Sequence, residues 1–138
     1  MSGYMTKLQG YVYEGELVNG AEAAVSNGIL MLQDDGTLVL PAADSTSKFV
    51  CKEITDIYGE LGYRFVVDKL NKRYYFVETS EEDFYAKGEY DGRTATFAPG
   101  ELLRAHPLLV GEEFIISGAA NAYAVGTAYG VTATGAIG

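Results

Sequence analysis

The sequence predicts an all-β (mainly β) fold, a compact small β-barrel or β-sandwich of short antiparallel strands with at most one short helix. Three observations lead there. Gly, Asn-Gly and Asp-Gly turn signals recur at close spacing over residues 11–40, which leaves no room for long helices. The segments between them are rich in β-branched, aromatic and Leu residues, several of them alternating with polar ones. A length of 138 residues, 48% of them hydrophobic and 21% charged, fits one ordinary globular domain. The expected organisation is a single β-rich domain over residues 1–132, followed by a Gly/Ala-rich C-terminal tail or arm over residues 133–138.

The first turns fall at Gly15, Asn19-Gly20, Asn27-Gly28 and Asp34-Asp35-Gly36. The last of these separates Ile29, Leu30, Met31 and Leu32 from Leu38, Val39 and Leu40, the pattern of a hairpin with an Asp-Gly turn. Pro41 ends the second arm, and residues 42–47 read as a small polar connection. A strand is expected over residues 48–54, with a turn at Tyr58-Gly59. Between Leu61 and Val77 the chain places Tyr63, Phe65 and Val67 on one strand face, turns near Asn71-Lys72, and returns through Tyr74, Tyr75, Phe76 and Val77, so a hairpin pairing these two aromatic and β-branched arms is expected. Residues 80–87 are where a helical turn competes, because Ser80 can cap it and Glu81, Glu82 and Asp83 suit its N-terminus. Short strands follow over residues 94–97, 101–105 and 113–117, broken by Pro99-Gly100 and Pro107. Turn spacing of this kind predicts about eight to eleven short strands.

From Tyr123 the odd positions carry Tyr123, Val125, Thr127, Tyr129 and Val131, and the even ones carry Ala or Gly. An extended conformation would gather the large side chains on one face and leave near-bare backbone on the other. Two readings follow. The stretch is the last strand of the barrel, small where it crosses a tightly packed neighbour. Alternatively, it leads into an arm over residues 133–138 that orders only against a partner. Both can hold at once; Tyr123, Val125, Tyr129, Val131 and Ile137 are the expected partner-binding residues, and removing residues 133–138 is expected to weaken attachment to a partner while leaving the fold soluble.

Residues suited to catalysis are scarce. One His, one Cys and no Trp leave little to converge in an active site, so the chain is expected to be no enzyme, with no catalytic, cofactor-binding or metal-binding residue. Asp34-Asp35 and Glu81-Glu82-Asp83 are accounted for by turn and cap chemistry, and Asp34-Asp35-Gly36-Thr37 lacks the spaced ligands and closing Glu of a calcium loop. His106 has no second His with which to bind a transition metal, and Cys51 reads as a small apolar filler. No glycine run resembles a phosphate-binding loop. Eleven Tyr suit either strand packing or exposed contact surfaces. A net charge of −9 opposes phosphate backbones and anionic lipid, so neither nucleic acid nor membrane is an expected partner. The opening Met1, Ser2, Gly3 lacks the pattern of a signal peptide, and no apolar run reaches bilayer-spanning length.

Gly15-Glu16-Leu17-Val18-Asn19-Gly20-Ala21-Glu22, Gly28-Ile29-Leu30-Met31-Leu32 and Gly36-Thr37-Leu38-Val39-Leu40-Pro41-Ala42-Ala43 resemble the start of small β-rich structural proteins of tailed bacteriophages. Arg104-Ala105-His106-Pro107-Leu108-Leu109-Val110-Gly111-Glu112-Glu113 and the Gly/Ala/Thr-rich ending are similar to the same group, which includes capsid decoration (cement) proteins. The resemblance lies in strand and turn patterns over most of the chain rather than in a diagnostic motif. It implies a non-enzymatic virion protein assembled in the host cytoplasm, bound to the major capsid protein on the outside of the shell and stabilising it. It also leaves open a homo-oligomer, since trimeric assembly is common among such proteins. The alternatives are a tail, baseplate or connector component of the virion, and a carbohydrate-binding or adhesin module that stacks sugars on exposed Tyr.

Overall fold

The computed structural model describes residues 4–7, 16–57, 60–78, 96–117 and 122–138. Among these residues there is no helix, and twelve strands are present. They are β1 (Tyr4–Lys7), β2 (Glu16–Val18), β3 (Val25–Ser26), β4 (Gly28–Leu32), β5 (Leu38–Val39), β6 (Asp44–Ile57), β7 (Glu60–Lys69), β8 (Tyr74–Glu78), β9 (Thr96–Phe97), β10 (Leu102–Pro107), β11 (Glu113–Ser117) and β12 (Ala128–Val131). The fold is all-β, as the turn spacing predicts. The count exceeds the expected range because several strands, such as β3 and β9, are only two residues long. The helical turn considered over residues 80–87 and the turn at Tyr58-Gly59 lie outside the described residues.

Two five-stranded sheets form the body, one in the order β1-β11-β7-β6-β12 and the other β2-β10-β8-β4-β5. All ladders between named strands are antiparallel. The inner faces of the two sheets meet in one core, with Phe49, Cys51, Tyr63, Phe65, Val67, Phe114, Ile116 and Val131 from the first and Ile29, Tyr74 and Phe76 from the second, giving a barrel-like arrangement. A second core lies on the other side of the second sheet, where Leu30, Leu38, Tyr75, Val77, Leu103 and Ala105 pack against Val25 and Phe97 of the β3–β9 pair.

The second sheet is therefore covered on both faces. Strand β8 shows the consequence: Tyr74 and Phe76 enter the first core, Tyr75 and Val77 the second, and all four are buried. That is why the strand reads as an unbroken apolar run rather than an alternating one. Strand β6 starts at Asp44, so part of the stretch expected as a loop belongs to the sheet, and its ladder with β7 shifts register between Cys51 and Glu53. The Asp34-Asp35-Gly36 turn links β4 to β5 as predicted, pairing Met31 with Val39 and Leu32 with Leu38. Asp35 accepts hydrogen bonds there from the Thr37 amide (3.0 Å) and hydroxyl (2.7 Å).

Asn19, expected as a turn residue, is buried and acts as a polar tie. Its side-chain amide donates to the Phe97 carbonyl at 3.0 Å and to the Ala23 carbonyl at 3.3 Å, and its carbonyl oxygen accepts the Ala21 amide at 2.9 Å. These bonds hold the β2–β3 connection over the second core, and they satisfy a side chain that would be costly to bury without partners.

Candidate functional site

The sequence directs attention to the C-terminal segment, and there the structure departs from the expectation of an arm. Residues 132–138 fold back on β12. The Gly130 and Gly138 amides each donate to the other's carbonyl at 3.1 Å, and the Thr132 amide donates to the Ala136 carbonyl at 2.8 Å. The Ile29 amide on β4 donates to the Gly135 carbonyl at 2.9 Å, linking this segment to the second sheet. Ile137 is 1% exposed and belongs to the main core. Residues 133–138 thus close the seam between the sheets. The reason is packing: Ile137 and Ala136 gain burial here that a free arm would forgo.

The five residues expected to contact a partner separate accordingly. Tyr123, Val131 and Ile137 are core residues, and Tyr129 is half-buried beside them. Only Val125, at 57% exposure, is open to solvent. The extended alternation expected from Tyr123 onward does not form, because strand geometry is confined to β12 and a hydrogen-bonded turn precedes it, with the Thr127 amide donating to the Ala124 carbonyl at 3.2 Å. That turn brings Tyr123 and Tyr129 together on the inside, their rings 5.0 Å apart and near perpendicular. The Tyr123 hydroxyl donates to the Ile137 carbonyl at 2.8 Å, and the Tyr129 hydroxyl accepts the Ala124 amide at 2.9 Å. Small residues do mark close crossings, as the barrel-strand reading expects. A Cβ on Gly130 would collide with the Asp44 carbonyl oxygen.

One polar constellation has the residue types of a reactive site. Asp44 accepts from the Tyr74 hydroxyl (2.6 Å), the Ser47 hydroxyl (2.7 Å) and amide (3.1 Å), and the Thr46 hydroxyl (2.7 Å) and amide (2.9 Å). The Ser47 oxygen in turn accepts the Asn71 amide at 2.8 Å. Burial works to raise the Asp44 carboxyl, but the hydrogen bonds from Tyr74, Thr46 and Ser47 outweigh it and hold the group well below the usual carboxylate range. Burial, and then the Asp44 carboxylate, push the Tyr74 phenol up to about 12. Ser47 is fully buried, with its hydroxyl donating to the Asp44 carboxylate and accepting the Asn71 amide. The group clamps the start of β6 to the β7–β8 turn. No cue in the sequence pairs Asp44 with Tyr74; the connection became legible only with the strands in place.

Cys51 and His106, the other candidates, are buried. Burial pushes the Cys51 thiol up, which keeps it protonated in the core. His106 is buried on β10 with its ring 6.2 Å from that of Phe76. Arg64 bridges Glu53 on β6 (3.3 Å) and Glu113 on β11 across the first sheet, and the Glu113 hydrogen bond leads in raising the guanidinium further. Between the β4–β5 and β7–β8 turns lies an open groove of about 520 Å³, with Asp34 on one side and Lys72 and Arg73 on the other. Among the described residues, no three His, Cys, Asp or Glu side chains gather in a way that would hold a metal ion.

Among the described residues the large aliphatic side chains that stand in solvent are Leu109 and Val110 in the β10–β11 turn, Ile54 and Leu61 on the β6–β7 hairpin, Leu102 at the start of β10, Leu40 after β5, and Val125. Comparison with protein-family models, curated proteins and solved structures finds no match to this chain.

Proposed function

We propose that this chain is a non-enzymatic structural protein of a tailed-phage virion that binds the outer surface of the capsid and stabilises the shell. One observation carries the choice of binding over turnover. The polar side chains best suited to chemistry, Asp44, Ser47 and Tyr74, spend their hydrogen bonds inside the fold, while large aliphatic side chains project from turns into solvent. Apolar groups held outward suit contact with another protein. The strand-and-turn resemblance supplies the virion context. The charge of −9 suits the outside of a shell, away from packaged DNA. Many identical weak contacts, one set per copy, would add up to firm attachment and would have to break before the shell subunits could part.

The carbohydrate-binding alternative needs open tyrosine rings. Of the eleven Tyr, the five whose side chains are described offer it no stacking platform: Tyr63, Tyr74, Tyr75 and Tyr123 are buried and Tyr129 is half-buried. The tail or connector alternative differs in stoichiometry. Quantitative mass spectrometry of purified particles tests both: copy number comparable to the major capsid protein supports decoration, and a few copies per particle moves the chain to the tail. Absence from particles overturns the virion reading.

A further inference from the structure

The seat of residues 132–138 is composite. The Ile29 amide that donates to the Gly135 carbonyl belongs to β4 of the second sheet, whereas Gly130, which exchanges hydrogen bonds with Gly138, belongs to β12 of the first. Val131 and Ile137 pair as an antiparallel bridge, and both lie in the core where the two sheets meet. The Tyr123 hydroxyl completes the seat by donating to the Ile137 carbonyl at 2.8 Å. All of these partners stand together only once the sheets have met.

The segment brings little of its own to that encounter. Its side chains are Thr132, Ala133, Thr134, Ala136 and Ile137, of which Ile137 alone is a large apolar one. Gly135 and Gly138 give up more backbone freedom on ordering than other residues do. The link from Gly135 to Ile29 also closes a loop of about a hundred residues, an entropy that must be met before the contact returns anything. Strands β7 and β8 are the opposite case: Tyr63, Phe65, Val67, Tyr74 and Phe76 reach the same core from one short stretch of chain.

We propose that residues 132–138 form a kinetic latch, a strap that closes after the two sheets have docked, opens first when the chain unfolds, and sets how long the native state lasts. The inference stands apart from the capsid reading above. Contacts still unmade when the folding barrier is crossed hold back unfolding without speeding folding, so the stabilising effect of the latch falls on the unfolding rate. Such a strap prolongs the folded state while leaving the rate of its formation to the sheets.

Stopped-flow urea jumps followed by tyrosine emission test this, since the chain has eleven Tyr and no Trp. Ile137→Val and Ile137→Ala probe the strap, the milder change keeping a folded protein in hand if the larger one prevents folding. Phe76→Leu, buried on β8 in the same core, probes the docked sheets. The expected result is unfolding about two- to tenfold faster in Ile137→Val and at least about thirtyfold faster in Ile137→Ala, with both folding within about twofold of the wild-type rate. Phe76→Leu should instead fold more slowly. Folding rates that fall with stability in the Ile137 variants as steeply as in Phe76→Leu place the strap in the folding nucleus and overturn the latch. Wild-type unfolding rates in both Ile137 variants overturn it, and so does an unchanged folding rate in Phe76→Leu, which removes the order of events.

Discussion

The Ile29 amide donates to the Gly135 carbonyl at 2.9 Å, and a Cβ on Gly135 would stand only 2.5 Å from the Ile29 carbonyl oxygen. These two residues, far apart in sequence, join the second sheet to the C-terminal segment at a separation only glycine permits. Gly135 also sits at a φ of +80°, where other residues are strained.

Gly135→Ala therefore combines left-handed strain with a backbone collision, and a loss of about 2–4 kcal/mol is expected. Gly126 is the control, with a similar φ of +86° and nothing within 4 Å of a built Cβ. Gly126→Ala should cost about 1 kcal/mol, the strain alone. Urea unfolding midpoints compare the two, and equal losses would contradict the close crossing.

Ile137→Ala should cost about 2–5 kcal/mol, in the range for a truncated core aliphatic side chain. Removing residues 133–138 goes further, because it also strips partners from the Ile29 amide, the Tyr123 hydroxyl and the Gly130 backbone. The shortened chain should lose its cooperative thermal transition. A truncated chain that melts like the full one would restore the arm.

The Asp44–Tyr74 pair predicts losses at both ends of the pH scale. Asp44 has a lowered carboxyl pKa in the fold, so its stabilisation is present above its unfolded value near 4 and is lost as pH falls below that. Tyr74 is raised from 10.0 to about 12, so its contribution is present below 10 and is lost as pH climbs from 10 towards 12. Tyr74→Phe should remove the alkaline component and cost about 1.5–3 kcal/mol at neutral pH, the range for a hydrogen bond to a charged group. Urea titrations at a series of pH values check this, and an unchanged alkaline slope in Tyr74→Phe would assign that slope to other groups.

Local features of the fold were legible in the sequence wherever neighbours in the chain decide the structure. The Asp34-Asp35-Gly36 hairpin follows from its turn chemistry, whereas the hairpin expected around Asn71-Lys72 does not form: both arms are strands, but β7 pairs with β6 and β11 in the first sheet and β8 with β4 and β10 in the second, so the turn crosses between sheets. Long-range placement was not legible. Residues 133–138 have the composition of a flexible tail, and only β4, about a hundred residues earlier, turns them into a closing segment. The alternation from Tyr123 was real as a pattern and misleading as a strand, because the turn before β12 rotates Val125 outward and Tyr123 inward. Leu109 and Val110 read as one apolar stretch with Leu108. Burial of Leu108 and exposure of the other two depend on the hydrogen bonds to β7 and β8.

Shell reinforcement is tested most directly by heating phage particles that carry or lack this chain and following genome release with a DNA-binding dye. Particles without it should release DNA at a lower temperature, and adding the purified protein back should restore the higher one. Identical release temperatures, with the chain bound at full occupancy, would contradict a stabilising role.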